Sequence, residues 1–381
     1  MTFSGTRRAR RVPLARQHTT RNPGKGGTAV TGSGGYRPWQ RSARRTTIGF
    51  MREPSGGADV ERLASYVATA TAAPSLHNSQ PWRFRIRDGG VDVIADWARQ
   101  LAVIDPSGRE LLISVGAALF TLRLAIRHDG RRPSLTFPQD PDDPRLVARV
   151  TPERAEAVTG VVRALFDAVP ERHTNRWPFA PSVVAAPDLE ELACAAHREG
   201  ASLTVAGAVA RAAILGLTRT AEQRLRGDHG YRAELTQWTL PSPGRRDGVP
   251  TAAMGPWDAL ETTPVRDFGL ALPQLTRPAE RFEPFPTIVT LSTAGDTPAD
   301  WLAAGQALQR VLLTATVLHL ATTPFSQPVE IPAIRELLTT QGRHAQILIR
   351  LGIGPPTYAT PRRPLCEVLM MEPVAAVGTP R

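Results

Sequence analysis

The chain has 381 residues, 41% of them apolar and 21% charged, which are the proportions of a folded globular protein rather than of a disordered tail or a fibre. Its length suits two or three domain-sized units, or one domain built from two merged halves. The formal charge of +11 invites a nucleic-acid partner only until it is located: residues 1–50 hold ten Arg, one Lys and no acidic residue, so 35 basic and 35 acidic residues balance from Met51 onward.

Residues 1–50 combine Arg7, Arg8, Arg10 and Arg11 with Gly clusters and show no apolar periodicity. Such a segment buries too little surface to offset its ordering entropy, which predicts disorder. A targeting peptide shares the Arg richness but not the Gly clusters, and the apolar core of a secretory signal is missing. A nucleic-acid arm would grip phosphate without reading bases, so no specific nucleic-acid partner is expected. The plainest expectation is a folded protein that starts at Met51. No run of 18 uninterrupted apolar residues occurs, so no membrane span is expected. Cys194 and Cys366 are the two cysteines, and neither has a CxxC or His-rich neighbourhood. That argues against a disulfide scaffold or a metal site and points to an intracellular, cytoplasmic protein.

From Met51 the pattern alternates between helix and strand. Val60, Leu63 and Val67 fall on one face of a helix over 59–72, which Pro74 ends. Apolar runs at 82–86 and 91–95 flank Asp88-Gly89-Gly90, a hairpin signal. Residues 113–128 are apolar on nearly every side, as a buried central helix would be, and short strands follow at 134–137 and 146–150. The later part repeats the order, with helices over 158–168, 188–197 and 209–225, strands at 202–205 and 287–292, and a second almost wholly apolar helix over 301–321.

The two apolar helices align without gaps, pairing Gly116 with Gly305, Ala118 with Ala307, Leu119 with Leu308 and Leu124 with Leu313. This predicts a duplication into halves 51–157 and 158–381, packed across a pseudo-twofold axis. Residues 226–286 break the pattern: they hold nine prolines and the separated Trp238, Met254, Trp257 and Phe268, and read as a lid or a loose surface excursion.

Between the first helix and the hairpin lies Pro74-Ser75-Leu76-His77-Asn78-Ser79-Gln80-Pro81-Trp82. Its hydroxyls and amides donate and accept together, which suits a neutral heteroaromatic ring or sugar-like chain as well as a capped turn. Alternation along Arg172-His173-Thr174-Asn175-Arg176 puts Arg172, Thr174 and Arg176 on one side of an extended segment. Two guanidinium forks around a hydroxyl suit a phosphate, the bland alternative being a solvated charge run. Arg362 and Arg363, after an apolar strand at 347–354, form a third basic pair. No Ser-His-Asp arrangement, P-loop or GxGxxG fingerprint is found.

Taken in order, PSxxNxQPW, RHTNR and the apolar strand leading to Pro361-Arg362-Arg363 resemble the FMN-dependent nitroreductase family. The duplication, the spelling SLHNSQPWRF and the long insert are most similar to its Acg-like branch, over residues 59–372. The resemblance implies an α+β, nitroreductase-like fold: two fused half-repeats mimicking the family homodimer in one chain, with mixed and antiparallel sheets around long central helices. In the family FMN lies between the Arg-containing motif of one protomer and the PSxxNxQP loop of the other. Here RHTNR occurs only in the second half and PSLHNSQPW only in the first, which implies one FMN per chain and a lost mirror-related site.

By the same resemblance Arg172, Thr174 and Arg176 meet the phosphate, ribityl chain and N1/O2 edge of the flavin. Ser75, Asn78 and Gln80 approach from the other half, and Arg362 or Arg363 completes the phosphate site. Thr322, Thr323 and Pro324 match the region near flavin N5, although ATTPFSQPVE replaces the family's Gly-rich turn. The implied activity is hydride transfer from NAD(P)H through FMN to a nitroaromatic, quinone or similar electron acceptor, with no general acid or base required of the protein. The alternative is a protein that sequesters FMN under the 226–286 lid. His77 reads as a loop hydrogen-bonder, Cys194 as a small apolar packing residue, and Cys366 as a residue at a strand edge.

Overall fold

The computed structural model describes residues 56–138, 143–260, 262–340 and 342–370, so the expectations for residues 1–50 lie outside the described residues. The helices are α1 (Gly56–Ala70), α2 (Arg109–His128), α3 (Gly160–Asp167), α4 (Ala186–His197), α5 (Ala208–Gly227), α6 (His229–Thr239), α7 (Pro298–Val317), α8 (Gln327–Glu330), α9 (Pro332–Leu337) and α10 (Leu365–Val368). The strands are β1 (Trp82–Arg87), β2 (Gly90–Ala95), β3 (Arg131–Thr136), β4 (Leu146–Ala155), β5 (Ser202–Val205), β6 (Trp257–Asp258), β7 (Ala279–Glu280), β8 (Thr287–Thr293), β9 (Ala321–Phe325), β10 (His344–Gly352) and β11 (Leu369–Met370).

The two main sheets repeat one plan. The first runs β11-β1-β2-β4-β3 and the second β5-β8-β10-β9. Each contains an antiparallel pair, a long helix, and a second antiparallel pair whose later strand lies inside: β1, β2, α2, β3, β4 in one, and β5, β8, α7, β9, β10 in the other. Between β1 and β2 the chain turns at Asp88 and Gly89, with φ of +52° and +68°, the left-handed pair a two-residue hairpin demands. Between β5 and β8 the same position carries the whole insert. β11, from the end of the chain, adds to β1 in parallel and closes that edge.

The helices α2 and α7 cross at glycine. A Cβ on Gly116 would lie 2.2 Å from the carbonyl oxygen of Leu302, and one on Gly305 would lie 2.0 Å from that of Ile113. The displacement along the chain that carries Gly116 onto Gly305 also carries Ile113 onto Leu302, so the two contacts are the same contact seen from either half. The neighbouring layer repeats the relation: Gln309 Nε2 donates to Thr121 Oγ1 at 3.0 Å, and Arg310 lies 5.7 Å from the centre of the Phe120 ring. Such reciprocity is what a twofold interface produces. Helix α2 is long and apolar enough to cross a membrane by length and composition, but Leu119, Leu122 and Ile126 are fully buried between the first sheet and α7.

Several expectations are corrected. The second apolar helix stops at Val317, the chain reverses at His319 with φ of +57°, and Thr322 to Pro324 belong to β9. Its start is fixed by a capping box in which Thr297 and Asp300 satisfy one another's backbone N–H groups. Residues 226–286 contain α6 and a core of their own, where Tyr231, Leu235, Trp238, Met254 and Phe268 pack on Leu101 and Ile104. Their periodicity is hidden because those apolar residues meet across turns rather than along one face. Cys194 is exposed rather than packed, and Cys366, also exposed, sits in α10.

A methyl group at the helix crossing forces two backbones apart. Gly305→Ala is therefore expected to lower stability by about 2 kcal/mol or more in chemical denaturation. Gly216→Ala, on α5 where the new Cβ meets open space, is expected to raise it by about 0.5–1 kcal/mol.

Candidate functional site

The loop ahead of β1 is held in an unfavourable backbone shape. His77, Asn78 and Gln80 have φ of +48°, +55° and +50°, three of the five non-glycine residues with positive φ among the described residues. Each such residue costs on the order of 1–3 kcal/mol unless its surroundings over-determine it. Here they do. Asn78 Nδ2 donates to the carbonyls of Gly248 and Pro361, both at 3.0 Å, and Gln80 Nε2 donates to that of Arg246 at 2.9 Å. Gln80 Oε1 accepts from the Arg363 N–H at 2.8 Å, and Ser75 Oγ accepts from the Gln80 N–H at 2.9 Å. The loop is thus tied to both the insert and the C-terminal segment.

Beside it lies a cavity of about 820 Å³, part of it open to solvent. Ser75 and His77 come from the loop, Glu110, Ile113 and Ser114 from the start of α2, Thr174 and Arg176 from the 172–176 segment, and Arg266 and Phe268 from the insert. Leu308 of α7, Thr323 and Pro324 of β9, and Ile347 of β10 complete the wall. Of the residues singled out by sequence, Ser75, Thr174, Arg176, Thr323 and Pro324 line this space. Thr322 stands behind it, its carbonyl accepting from the Asn175 N–H at 2.9 Å. Gln80 and Arg363 do not line it: Gln80 is fully buried with its amide engaged by protein groups, and the Arg363 guanidinium turns to Gln80 and Glu367.

Arg172, Arg362 and Asn78 make an adjoining cluster drawn from distant parts of the chain. Arg172 and Arg362 each donate an Nη2–H to the carbonyl of Ala72, at 3.3 and 3.2 Å, and Arg362 Nη1 donates to Asn78 Oδ1 at 3.0 Å. Both Nε atoms are buried without a partner. Burial, with the Arg362 charge beside it, pulls Arg172 down to about 9, and burial alone pulls Arg362 to about 10. Arg176 sits 4.9 Å above the Phe268 ring and donates to the Ala253 carbonyl at 2.8 Å; burial and the Arg266 charge bring it to about 10. Among the described residues none of these three guanidiniums meets a carboxylate. Arg266 is the contrast, being paired with Glu330 and with the Tyr231 hydroxyl at 2.9 Å, and its pKa is raised.

His77 is not a loop hydrogen-bonder. Among the described residues neither buried ring nitrogen has a partner, the ring meets Phe268 edge-on at 5.4 Å, and burial with the charges of Arg266 and Arg176 keeps it neutral. Sequence reasoning missed Glu110, Ser114 and Arg266, and named Phe268 only as an apolar residue of the possible lid. Arg266 carries no signal beyond the charge of the insert, and Glu110 and Ser114 are ordinary-looking residues of a helix start. A cation withdrawn from water without a carboxylate is unfavourable, so the buried Arg172 and the half-buried Arg176 and Arg362 together make a place for an electron-rich, anionic ligand.

Comparison with known proteins finds relatives over most of the chain. A Mycobacterium tuberculosis protein provisionally named NAD(P)H nitroreductase acg is 33% identical over 320 residues, covering 80% of this chain and 94% of that one. A second from that organism, also provisionally named an NAD(P)H nitroreductase, is 32% identical over 327 residues, 82% of this chain and 92% of the other. Among solved structures, a nitroreductase from Anabaena variabilis aligns over 80% of this chain and 90% of its own with a TM-score of 0.45 and 10% identity, a likeness too slight to add to the fold. No protein-family model matches.

If the Arg172 and Arg362 cluster awaits an anion, inorganic phosphate is expected to raise the melting temperature of the ligand-free protein. Arg172→Met is expected to abolish that response. Because Arg172 is depressed to about 9 from its ordinary 12.5, the folded state carries its full cost below pH 9 and is relieved as pH climbs beyond it. The stability gained by Arg172→Met should therefore shrink above pH 9, and a wild-type protein indifferent to phosphate would count against the cluster.

Proposed function

The chain belongs to the NAD(P)H nitroreductase family, in its Acg-like branch, and from that membership we propose that it is an FMN-binding oxidoreductase that uses NAD(P)H to reduce a nitroaromatic, quinone or similar acceptor. One observation carries the reading: Arg172, Arg176 and Arg362, withdrawn from water and meeting no carboxylate among the described residues, gather at and beside a partly open cavity that Arg176 lines together with Ser75, Thr174, Thr323 and Pro324. Orphaned donors at Arg172 Nε and Arg362 Nε fit a phosphate.

In this reading Arg172 and Arg362 hold the phosphate, and the hydroxyls of Ser75 and Thr174 face the ribityl chain. Arg176 stands at the electron-rich N1/O2 edge, and Thr323 and Pro324 form the wall near N5. Bound there, FMN would supply the two-electron redox chemistry. Asn78 acts through Arg362, which its amide oxygen holds, while Gln80, Thr322 and Arg363 brace the walls. Ile113, Leu308 and Ile347 keep water from the ring face, and the positive charge of Arg176 favours the more electron-rich state of whatever ring lies beside it. The halves, 51–157 and 158–381, take the part of two subunits, and a single chain suffices for one site. A cytoplasmic location, where NAD(P)H is supplied, goes with this reading.

Two measurements test it. Arg172→Ala is expected to weaken FMN binding about 10- to 100-fold, since hydrogen bonds to charged groups contribute roughly 1.5–3 kcal/mol, and Asn78→Ala to weaken it less. FMN-loaded protein mixed anaerobically with NADPH is expected to bleach; a lasting yellow colour would instead mark a protein that holds flavin without turning it over.

A further inference from the structure

Glu110 opens α2 and is buried in the cavity wall. Its Oε1 accepts from Arg109 Nη2 at 2.7 Å, and among the described residues no protein donor reaches its other oxygen. Arg109 does not depend on it, because its remaining N–H groups donate to the carbonyls of Gln346 at 2.7 Å and Val329 at 3.2 Å. Around this pair lie two more buried acids. Asp105 accepts from the Leu111 N–H at 2.8 Å, and Glu330 is paired through one oxygen with Arg266 while its Oε2 is buried and unpartnered.

The charges do not balance. Asp105, Glu110 and Glu330 are three carboxyls against two guanidiniums, Arg109 and Arg266. Arg335 is spent on Asp296, with contacts of 2.6 and 2.8 Å. The other groups on this cavity do not repair the deficit: His77 is neutral, and Arg176 feels Arg266 rather than Glu110. A buried cluster with one acid too many keeps a proton, and burial with the charges of Glu330 and Asp105 pushes Glu110, the member on the far side from the second cavity, well above the carboxylate range against the pull of Arg109. Of the three acids, Glu110 is the one in the wall of the first cavity. Asp105, Arg109 and Glu330 line a second cavity of about 960 Å³, whose rim carries His344 and the exposed Glu336.

We propose that Glu110 is the proton donor for the reduction performed in the first cavity, reloaded from water in the second through the Asp105 and Glu330 side. This rests on the reading of the first cavity as an oxidoreductase site. NAD(P)H becomes NAD(P)+ and supplies a hydride equivalent. A nitroarene that takes this hydride and one proton loses an N–O bond and gives a nitrosoarene and water. A quinone that takes the same pair gives a hydroquinone. In either case the Glu110 O–H bond breaks, and its carboxylate regains a proton from solvent. Carboxyl acids placed in this way contribute roughly 100-fold to such steps.

The test has a spectroscopic arm and a kinetic arm. Infrared spectra of the FMN-loaded protein at neutral pH should show a protonated carboxyl stretch that shifts in D2O and is missing in Glu110→Gln. Glu330→Gln, which leaves two acids for two guanidiniums, should lower the pH at which the band disappears. Glu110→Gln should match or exceed wild-type stability, since the amide replaces a neutral acid. It should also slow quinone reduction roughly 100-fold and remove its solvent isotope effect, with FMN affinity within about twofold. A wild type without the band, a Glu110→Gln protein that fails to fold, or an unchanged rate would each overturn the proposal. Failure to bind FMN while the band remains would instead refute the oxidoreductase reading and leave the proton in place.

Discussion

The arrangement turns on positive charge kept out of water without negative charge to meet it. Among the described residues Arg172, Arg176 and Arg362 are met by carbonyl oxygens, an amide oxygen, the Thr360 hydroxyl and an aromatic face, which offset a small part of what a guanidinium loses on burial. The fold accepts that cost because the groups holding these side chains are rigid. Ala72 is fixed by the end of α1, and Asn78 by carbonyls of the insert and the C-terminal segment. The left-handed backbone at His77, Asn78 and Gln80 goes with this: the loop presents Asn78 to Arg362 and His77 to the cavity at once.

The two halves share a sheet order and a helix crossing but not a loop. Where the first half passes from α1 to β1 through residues 71–81, the second passes from α4 to β5 through residues 198–201 alone. That connection is too short to reach a cavity wall, and it carries no counterpart of Asn78 or Gln80. The long excursion lies instead between β5 and β8, and its Arg266 and Phe268 come back to close the first cavity from the other side. The two connections thus differ on frames that share one sheet plan.

Much of this was legible in the residues themselves. Gly116 and Gly305 could be aligned because a close helix crossing tolerates only glycine, and the order of PSLHNSQPW and RHTNR could be read because both are compact and polar. Three things were not legible. Residues 318–321 extend an apolar run and look helical, yet the helix stops at Val317 and the reversal at His319 lets β9 begin at Ala321. The amide of Gln80 looks like a ligand contact and is used to hold the chain. Glu110 gives no signal at all, because its meaning depends on Asp105, Glu330 and Arg266, which come from separate segments and count only together.

The glycine crossing also decides how such a site can be lost. When two matching helices belong to separate polypeptides, their contact weakens on dilution. Here α2 and α7 are tethered by the intervening polypeptide, and their encounter is governed by an effective concentration that does not change with the amount of protein present. Dissociation is therefore not open to the α2–α7 contact, and the cavity between the halves can come apart only by unfolding.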